Sequence, residues 1–407
     1  MIIFSGMPPG LSGVGRLMTC LQEQASERAD GSARLYWRPE GQSPSRHLRR
    51  GQWLKALRQA KKQRQWQGLL SDSAVMAADP AILIHPQSLG YAWCDQLIRK
   101  RTAPTWMYVM DSSFFCIRSY NHIAGETSSC TRCLGGDWSQ IEKMQCAPFP
   151  VADADAVPFV QNLQRWIAER RVRCLVQNPQ QAELLRRHCG PEAVIRVVGL
   201  WTADMEIARG VSEQPAGPAY DVVFHGGVHH AKGFDWALEM ARRCPELTFL
   251  FPCRRGKASS LDPPPNAVFK KMTWETGLGQ QVQSAKLVLN PSLWSATIEG
   301  ALVKSIFAAR AVAVQDEPTA WSSGLPDGLI LRLPPHDLAQ AADALRLAVV
   351  SGWAPAAGLK TEWVREFQQA NARLLERLEA ACNDADENSP VQSAHHDSPN
   401  TACGEAA

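Results

Sequence analysis

Short apolar runs alternate with longer amphipathic stretches along this chain, and that alternation restricts the fold to parallel strands joined by crossover helices. The runs fall into two groups. The first is Ile2-Ile-Phe4, Ile82-Leu-Ile84, Met107-Tyr-Val109, Cys174-Leu-Val176 and Val194-Ile-Arg-Val-Val198. The second is Tyr220-Asp-Val-Val-Phe224, Leu247-Thr-Phe-Leu-Phe251, Ala267-Val-Phe269, Leu287-Val-Leu289, Ala311-Val-Ala-Val314 and Leu329-Ile-Leu331. Between them, Ala203 to Ala219 is rich in Gly, Pro, Ser and Glu and reads as a linker. A chain of 407 residues is too long for one core. The expectation is therefore α/β, with two doubly wound, Rossmann-like domains facing each other across a cleft. Residues 1–200 form the first domain, 201–219 the linker, 220–365 the second domain, 366–384 a C-terminal helix and 385–407 a disordered tail that contains His395 and His396. Helices are expected from Leu338 to Val350 and from Thr361 to Cys382. In such folds a ligand binds outside the carboxyl ends of the strands.

The most informative single stretch is Asn290-Pro-Ser-Leu-Trp-Ser-Ala-Thr-Ile-Glu299-Gly-Ala-Leu-Val-Lys-Ser305. It follows the apolar run Lys286-Leu-Val-Leu-Asn290, and its apolar positions Ile298, Ala301, Leu302, Ile306 and Ala309 recur at helical spacing. Glu299 is thereby expected in the first turn of a helix, where free backbone N–H groups and the positive end of the helix dipole favour a phosphate. An acid at that position either complements the dipole or helps to hold a nucleotide. Two glycine loops follow strands in the same way. Pro8-Pro-Gly10-Leu-Ser-Gly13-Val-Gly15-Arg16 opens a helix near Val14, without the spacing of the dinucleotide fingerprint. Gly226 and Gly227 precede Lys232, whose ammonium is placed either to neutralise a diphosphate or simply to face solvent.

In their order these motifs resemble the retaining, nucleotide-sugar-dependent glycosyltransferases of the GT-B fold, the group called glycosyltransferase family 4, over residues 1 to about 382. Pro9-Gly-Leu-Ser-Gly-Val-Gly-Arg16 is similar to that family's N-terminal glycine loop. Phe224-His-Gly-Gly-Val-His-His-Ala-Lys-Gly233 is similar to its strand, glycine and Lys-Gly element, and Asn290 to Ala301 to its nucleotide-sugar signature. The resemblance implies that Glu299 accepts hydrogen bonds from the ribose hydroxyls, that Lys232 pairs with the diphosphate, and that Gly13 and Gly15 let the first loop approach the phosphates. It implies that His85 hydrogen-bonds the donor sugar, and it matches Asp111 to the second residue of the family's His-Asp pair, with Met110 in place of the histidine. Ser295 stands where the family has the first of two glutamates, so the donor-sugar contacts fall to backbone groups of Ser295, Ala296 and Thr297. The family's arginine partner to the lysine falls on Gly227, leaving Arg254 or Arg255 as substitutes. The implied reaction moves a sugar from a nucleotide-diphosphate donor to a hydroxyl of a glycan or lipid-linked acceptor, with retention and without a catalytic metal, in cell-surface polysaccharide or lipopolysaccharide synthesis. The alternative is a catalytically degenerate member that binds a glycan or a partner enzyme.

Composition narrows the setting. A net charge of +3 does not argue for nucleic acid, and no run of apolar residues is long enough to span a membrane. Twelve cysteines without a recognisable secretory signal suggest a reducing cytoplasm. Cys116, Cys130, Cys133 and Cys146 contain one Cys-x-x-Cys, a spacing that a structural zinc accepts. Residues Arg46, Arg49, Arg50, Lys55, Arg58, Lys61, Lys62 and Arg64 are interrupted by no acid and accompanied by Trp53, Leu54, Leu57 and Trp66. Such a segment either lies on an anionic membrane surface or forms a solvated surface helix. The first option makes the protein peripheral at the inner face of the membrane.

Overall fold

The computed structural model describes residues 1–28, 31–39, 44–209, 220–257 and 262–384. Most of the expected linker, and the whole expected tail with His395 and His396, lie outside the described residues.

Two all-parallel sheets of six strands make up the frame. The first has the order β2-β1-β3-β4-β5-β6, with β1 Ile2–Ser5, β2 Arg34–Trp37, β3 Ala81–Ile84, β4 Thr105–Tyr108, β5 Val172–Val176 and β6 Ile195–Val197. The second has the order β12-β11-β10-β7-β8-β9, with β7 Val222–Phe224, β8 Phe249–Phe251, β9 Ala267–Phe269, β10 Leu287–Leu289, β11 Val312–Gln315 and β12 Leu331–Leu333. Helices cover both faces of each sheet, which is why the central strands are apolar throughout rather than alternating. Ile2, Ile3, Phe4, Val222, Val223, Leu287 and Val288 are wholly buried.

Every apolar run of the sequence contributes to a strand, the last one displaced two residues towards the C-terminus. The strand without such a run, β2, is Arg-Leu-Tyr-Trp at the sheet edge, with both ends exposed. An edge strand needs only one partner, and here it takes the register Ile3↔Leu35 from β1.

The chain reverses its direction of winding twice, at β1/β3 in the first sheet and at β7/β10 in the second. Crevices open at such switch points, and the loops that leave these four strands carry His85, both glycine loops, Lys232 and Glu299, whereas Asp111 follows β4 and Arg254 follows β8. Residues 203–209 of the expected linker form a helix, Ala203–Arg209.

The closing helix anticipated from Thr361 to Cys382 is two helices, Ala357–Asn371 and Leu374–Asn383. Gln24 of the Gly13–Ser26 helix sits at the break, donating to the Ala372 carbonyl at 2.8 Å and accepting from the Leu375 amide at 2.8 Å. The side chain satisfies both backbone groups that the interruption frees. Beyond the break, Arg28 pairs with Glu379 at 2.6 Å, so the last helix packs on the first domain.

Candidate functional site

A cleft of about 750 Å³ lies between the two sheets, where both switch points open. On the first domain its wall is the loop after β1. Ser12 caps the Gly13–Ser26 helix by accepting from the Gly15 amide at 3.0 Å. Gly13 lines the cleft, but Gly15 does not. The Gly15 amide is engaged by Ser12, and a Cβ there would come within 2.9 Å of the Gly10 carbonyl. Gly15 therefore serves the tight start of the helix, and its amide is taken up by the cap.

On the second domain, Gly226 and Gly227 follow β7 into the cleft. Their amides donate no hydrogen bond among the described residues. Glu299 is not in the first turn but is the N-cap of the Gly300–Ala308 helix, and its side chain makes no capping bond. The carboxylate instead accepts from Lys232 Nζ and, at 3.2 Å, from Ser292 Oγ. Lys232 is further held over the ring of Trp294, 3.4 Å from its centroid. The Val303 amide already bonds to the Glu299 carbonyl at 3.0 Å, so the earlier amides of this helix have no intrahelical acceptor. Two of their residues, Gly300 and Ala301, line the cleft.

His85 and Asp111 come from the ends of β3 and β4 and occupy the facing wall. His85 adopts left-handed backbone angles, φ 60° and ψ 66°, immediately before Pro86. That is a strained state for a non-glycine residue, of the kind found at functional sites. Its Nε2 lies 3.8 Å from an Asp111 oxygen, which also accepts from Gln87 at 2.6 Å. Burial lowers the imidazole pKa more than Asp111 raises it, so the ring is neutral at pH 7. Its Nδ1 is buried without a partner among the described residues.

An ionic junction that the sequence did not reveal crosses the cleft. Asp204 accepts from Lys304 Nζ at 2.5 Å and from Thr202 at 2.7 Å, and lies 3.3 Å from Arg16. Arg16 also reaches Glu275 at 2.6 Å. All these residues except Glu275 line the cleft. Beneath the junction, Trp274 stacks on His225, and the Lys304 ammonium is 5.1 Å from the indole ring. Burial and the Lys304 charge push His225 well below the usual histidine range. The signals were within the motifs already quoted, since Arg16 ends the first glycine loop and Lys304 follows Glu299 in the next helical turn. Asp204 fell inside the expected linker.

Several expected ligands sit elsewhere. Arg254 is exposed and does not line the cleft. Of Ser295, Ala296 and Thr297, only Thr297 lines it. All three amides are engaged: Ser295 N donates to Asn121 Oδ1 at 3.3 Å, Ala296 N to the Thr319 carbonyl at 2.7 Å and Thr297 N to the Ser295 carbonyl at 2.7 Å. The Ser295 hydroxyl accepts from Asn121 at 2.8 Å and meets Thr319 at 2.7 Å. With Asn178 on the Ala296 carbonyl at 2.5 Å and Gln177 on the Ile298 amide at 2.8 Å, this loop is a seam between the domains. Backbone donors for a sugar are therefore absent from it among the described residues.

The four cysteines Cys116, Cys130, Cys133 and Cys146 do line one small cavity. Among the described residues, however, no three cysteine, histidine or acidic side chains are arranged to hold a metal. The expected zinc geometry is thus not formed by these thiols.

No protein-family model matches the chain, and no curated protein matches it by sequence. Solved structures do share its architecture. Sucrose-phosphate synthase from Thermosynechococcus elongatus aligns over 93% of this chain and 98% of its own, with a TM-score of 0.61 and 14% identity. A UDP-forming α,α-trehalose-phosphate synthase from Burkholderia vietnamiensis aligns over 94% and 98%, with a TM-score of 0.57 and 11% identity. The Anabaena protein HepE, solved in complex with UDP, aligns over 93% and 98%, with a TM-score of 0.55 and 12% identity. The fold is GT-B.

Proposed function

We propose that this chain is a glycosyltransferase that moves a sugar from a nucleotide-diphosphate donor to a hydroxyl of a glycan or lipid-linked acceptor, with retention. One observation carries the reading. Lys232, Glu299 and the first amides of the Gly300–Ala308 helix meet at one switch point and line the same cleft as His85, at the other, and Asp111, which follows β4.

In this reading Glu299 accepts from the ribose hydroxyls, while Lys232 and the helix amides stabilise the charge that develops on the leaving diphosphate. Arg16 and Lys304 supply the second cation that the arginine-less Gly227 position lacks. His85, neutral and with Nδ1 unpartnered, hydrogen-bonds the donor sugar beside the reacting carbon. HepE, similar in fold, is solved with UDP, which supports a uridine nucleotide as the first donor to try. The setting we infer is cell-surface polysaccharide or lipopolysaccharide synthesis on the cytoplasmic side.

The role of Ser295 in the seam favours one second reading, a degenerate protein that binds donor without transfer, because no carboxylate stands there to hold the sugar. The test is a panel of nucleotide sugars offered to the purified chain, scored by nucleotide release and by protection from thermal unfolding. Protection with release supports the enzyme, and protection without release supports the binder. If nothing protects, or if Glu299→Ala is protected as well as the parent, the nucleotide site is wrong.

A further inference from the structure

Four exposed apolar side chains of the first domain, Leu48, Trp53, Leu54 and Leu57, cluster on a face that its own core does not use. The Trp53–Gly68 helix buries Ala56, Gln59 and Trp66, and Trp66 stacks on Trp93 at 4.4 Å. Helical residues advance about 100° each, which sets Trp53, Leu57, Lys61 and Arg64 on the opposite side, with Leu54 next to them. Trp53 is 67% exposed, Leu54 72% and Leu57 67%. The short preceding helix, Pro44–Arg49, buries none of its residues and adds Leu48, 42% exposed. No acidic residue interrupts Arg46 to Arg64, and the eight lysines and arginines of this stretch outnumber the net charge of the whole chain, +3.

We infer that this outward face docks on an anionic phospholipid surface. Charge complementarity selects the occupant. Leucines and a tryptophan flanked by lysine and arginine suit the boundary between headgroups and acyl chains, where the aliphatic stems bury and the charges remain among anionic headgroups. A nucleic acid would meet the charges but leave the leucines facing phosphate and water. The inner edge of the same helix shares a groove of about 490 Å³ with Tyr36, Trp37 and Pro8. Pro8 belongs to the loop that carries Met7 and Leu11 into the cleft, so docking sets the bilayer beside the path to the site. No helix among the described residues is long and apolar enough to cross a membrane, so the contact is peripheral. The inference rests on the surface alone and holds whatever the cleft binds.

The experiment is co-sedimentation of the full chain with vesicles of phosphatidylcholine alone or mixed with phosphatidylglycerol. Binding is expected only with the anionic lipid and should weaken as salt is raised. Trp53→Ser with Leu57→Ser should lower the bound fraction about tenfold, as should Lys61→Glu with Arg64→Glu, with melting temperature and lipid-free nucleotide-sugar protection unchanged. Equal binding to neutral vesicles, equal binding of parent and variants, or an absence of binding at low salt each overturns the proposal. Capture of duplex DNA by this face in place of vesicles overturns it as well.

Discussion

At the scale of single residues, Lys232 is the most informative side chain in the cleft. It is bonded to Glu299 and lies over Trp294, so an entering diphosphate competes with a carboxylate for one ammonium. A charge-assisted hydrogen bond contributes about 1.5–3 kcal/mol, which converts to about ten- to hundred-fold in Kd. Lys232→Met should weaken a nucleoside diphosphate by that factor in calorimetric titration and leave the corresponding nucleoside almost unaffected. Equal weakening of both would place Lys232 away from the phosphates. His85 shows how local strain marks a site. Its left-handed backbone is set by the turn into Pro86, and it leaves Nδ1 buried and unpartnered at the cleft wall.

At the scale of elements, the two helices that open on the cleft begin differently. The Gly13–Ser26 helix is capped internally by Ser12, whereas the Gly300–Ala308 helix starts at Glu299 with no side-chain cap and leaves its first amides to the cleft. The second is the better anion site by this criterion. Gly15→Ala tests the contrast. Alanine is favoured in helices by about 1 kcal/mol, but its methyl would press on the Gly10 carbonyl, a backbone atom with little room to move. Overpacking of that kind costs about 1–3 kcal/mol, so the melting temperature should fall while nucleotide affinity holds. A large loss of affinity at an unchanged melting temperature would return Gly15 to the phosphate site. The edge strand β2 and the break at Ala372 were both hidden from periodicity, because the first is a four-residue edge strand, Arg-Leu-Tyr-Trp, with both ends exposed and the second is stabilised by Gln24 from a distant segment.

At the scale of the whole molecule, the domains meet along a polar seam. Besides the Asn121 and Asn178 bonds to residues 295 and 296, His122 Nδ1 lies 2.7 Å from His230 Nδ1. One of these nitrogens must carry the proton and the other accept it, so protonating both turns the bond into a repulsion. Burial, together with His230, pushes His122 down to about 4, against the opposing pull of Glu126 and Glu317. An exposed histidine takes its proton near 6.5. The opened or unfolded chain therefore binds more protons between those values, and the stability of the seam is full above about 6.5 and lost as pH falls towards 4. The protection factors of the Ser295 and Ile298 amides, with exchange rates corrected for their intrinsic pH dependence, should fall as pH drops across that window in the parent and stay flat in His122→Gln. Protection that is flat in the parent, or that falls equally in both, would sink the idea.

Much of this protein is legible in the chain itself, because strand and helix periodicity are local properties. The apolar runs specify eleven of the twelve strands among the described residues, and their order implies two doubly wound sheets whose loops carry Gly226, Lys232, Glu299, His85 and Asp111 to one cleft. Tertiary structure alone decided which neighbours those loops meet. Ser295 became part of the domain seam because Asn121 and Thr319 approach it, and the Gly15 amide was withdrawn from the cleft by Ser12. Arg16, Asp204 and Lys304, each unremarkable in its own segment, became an ionic junction. Such pairings join residues far apart in sequence, and no local pattern encodes them. They arise only when packing of the two cores sets the distance between the sheets.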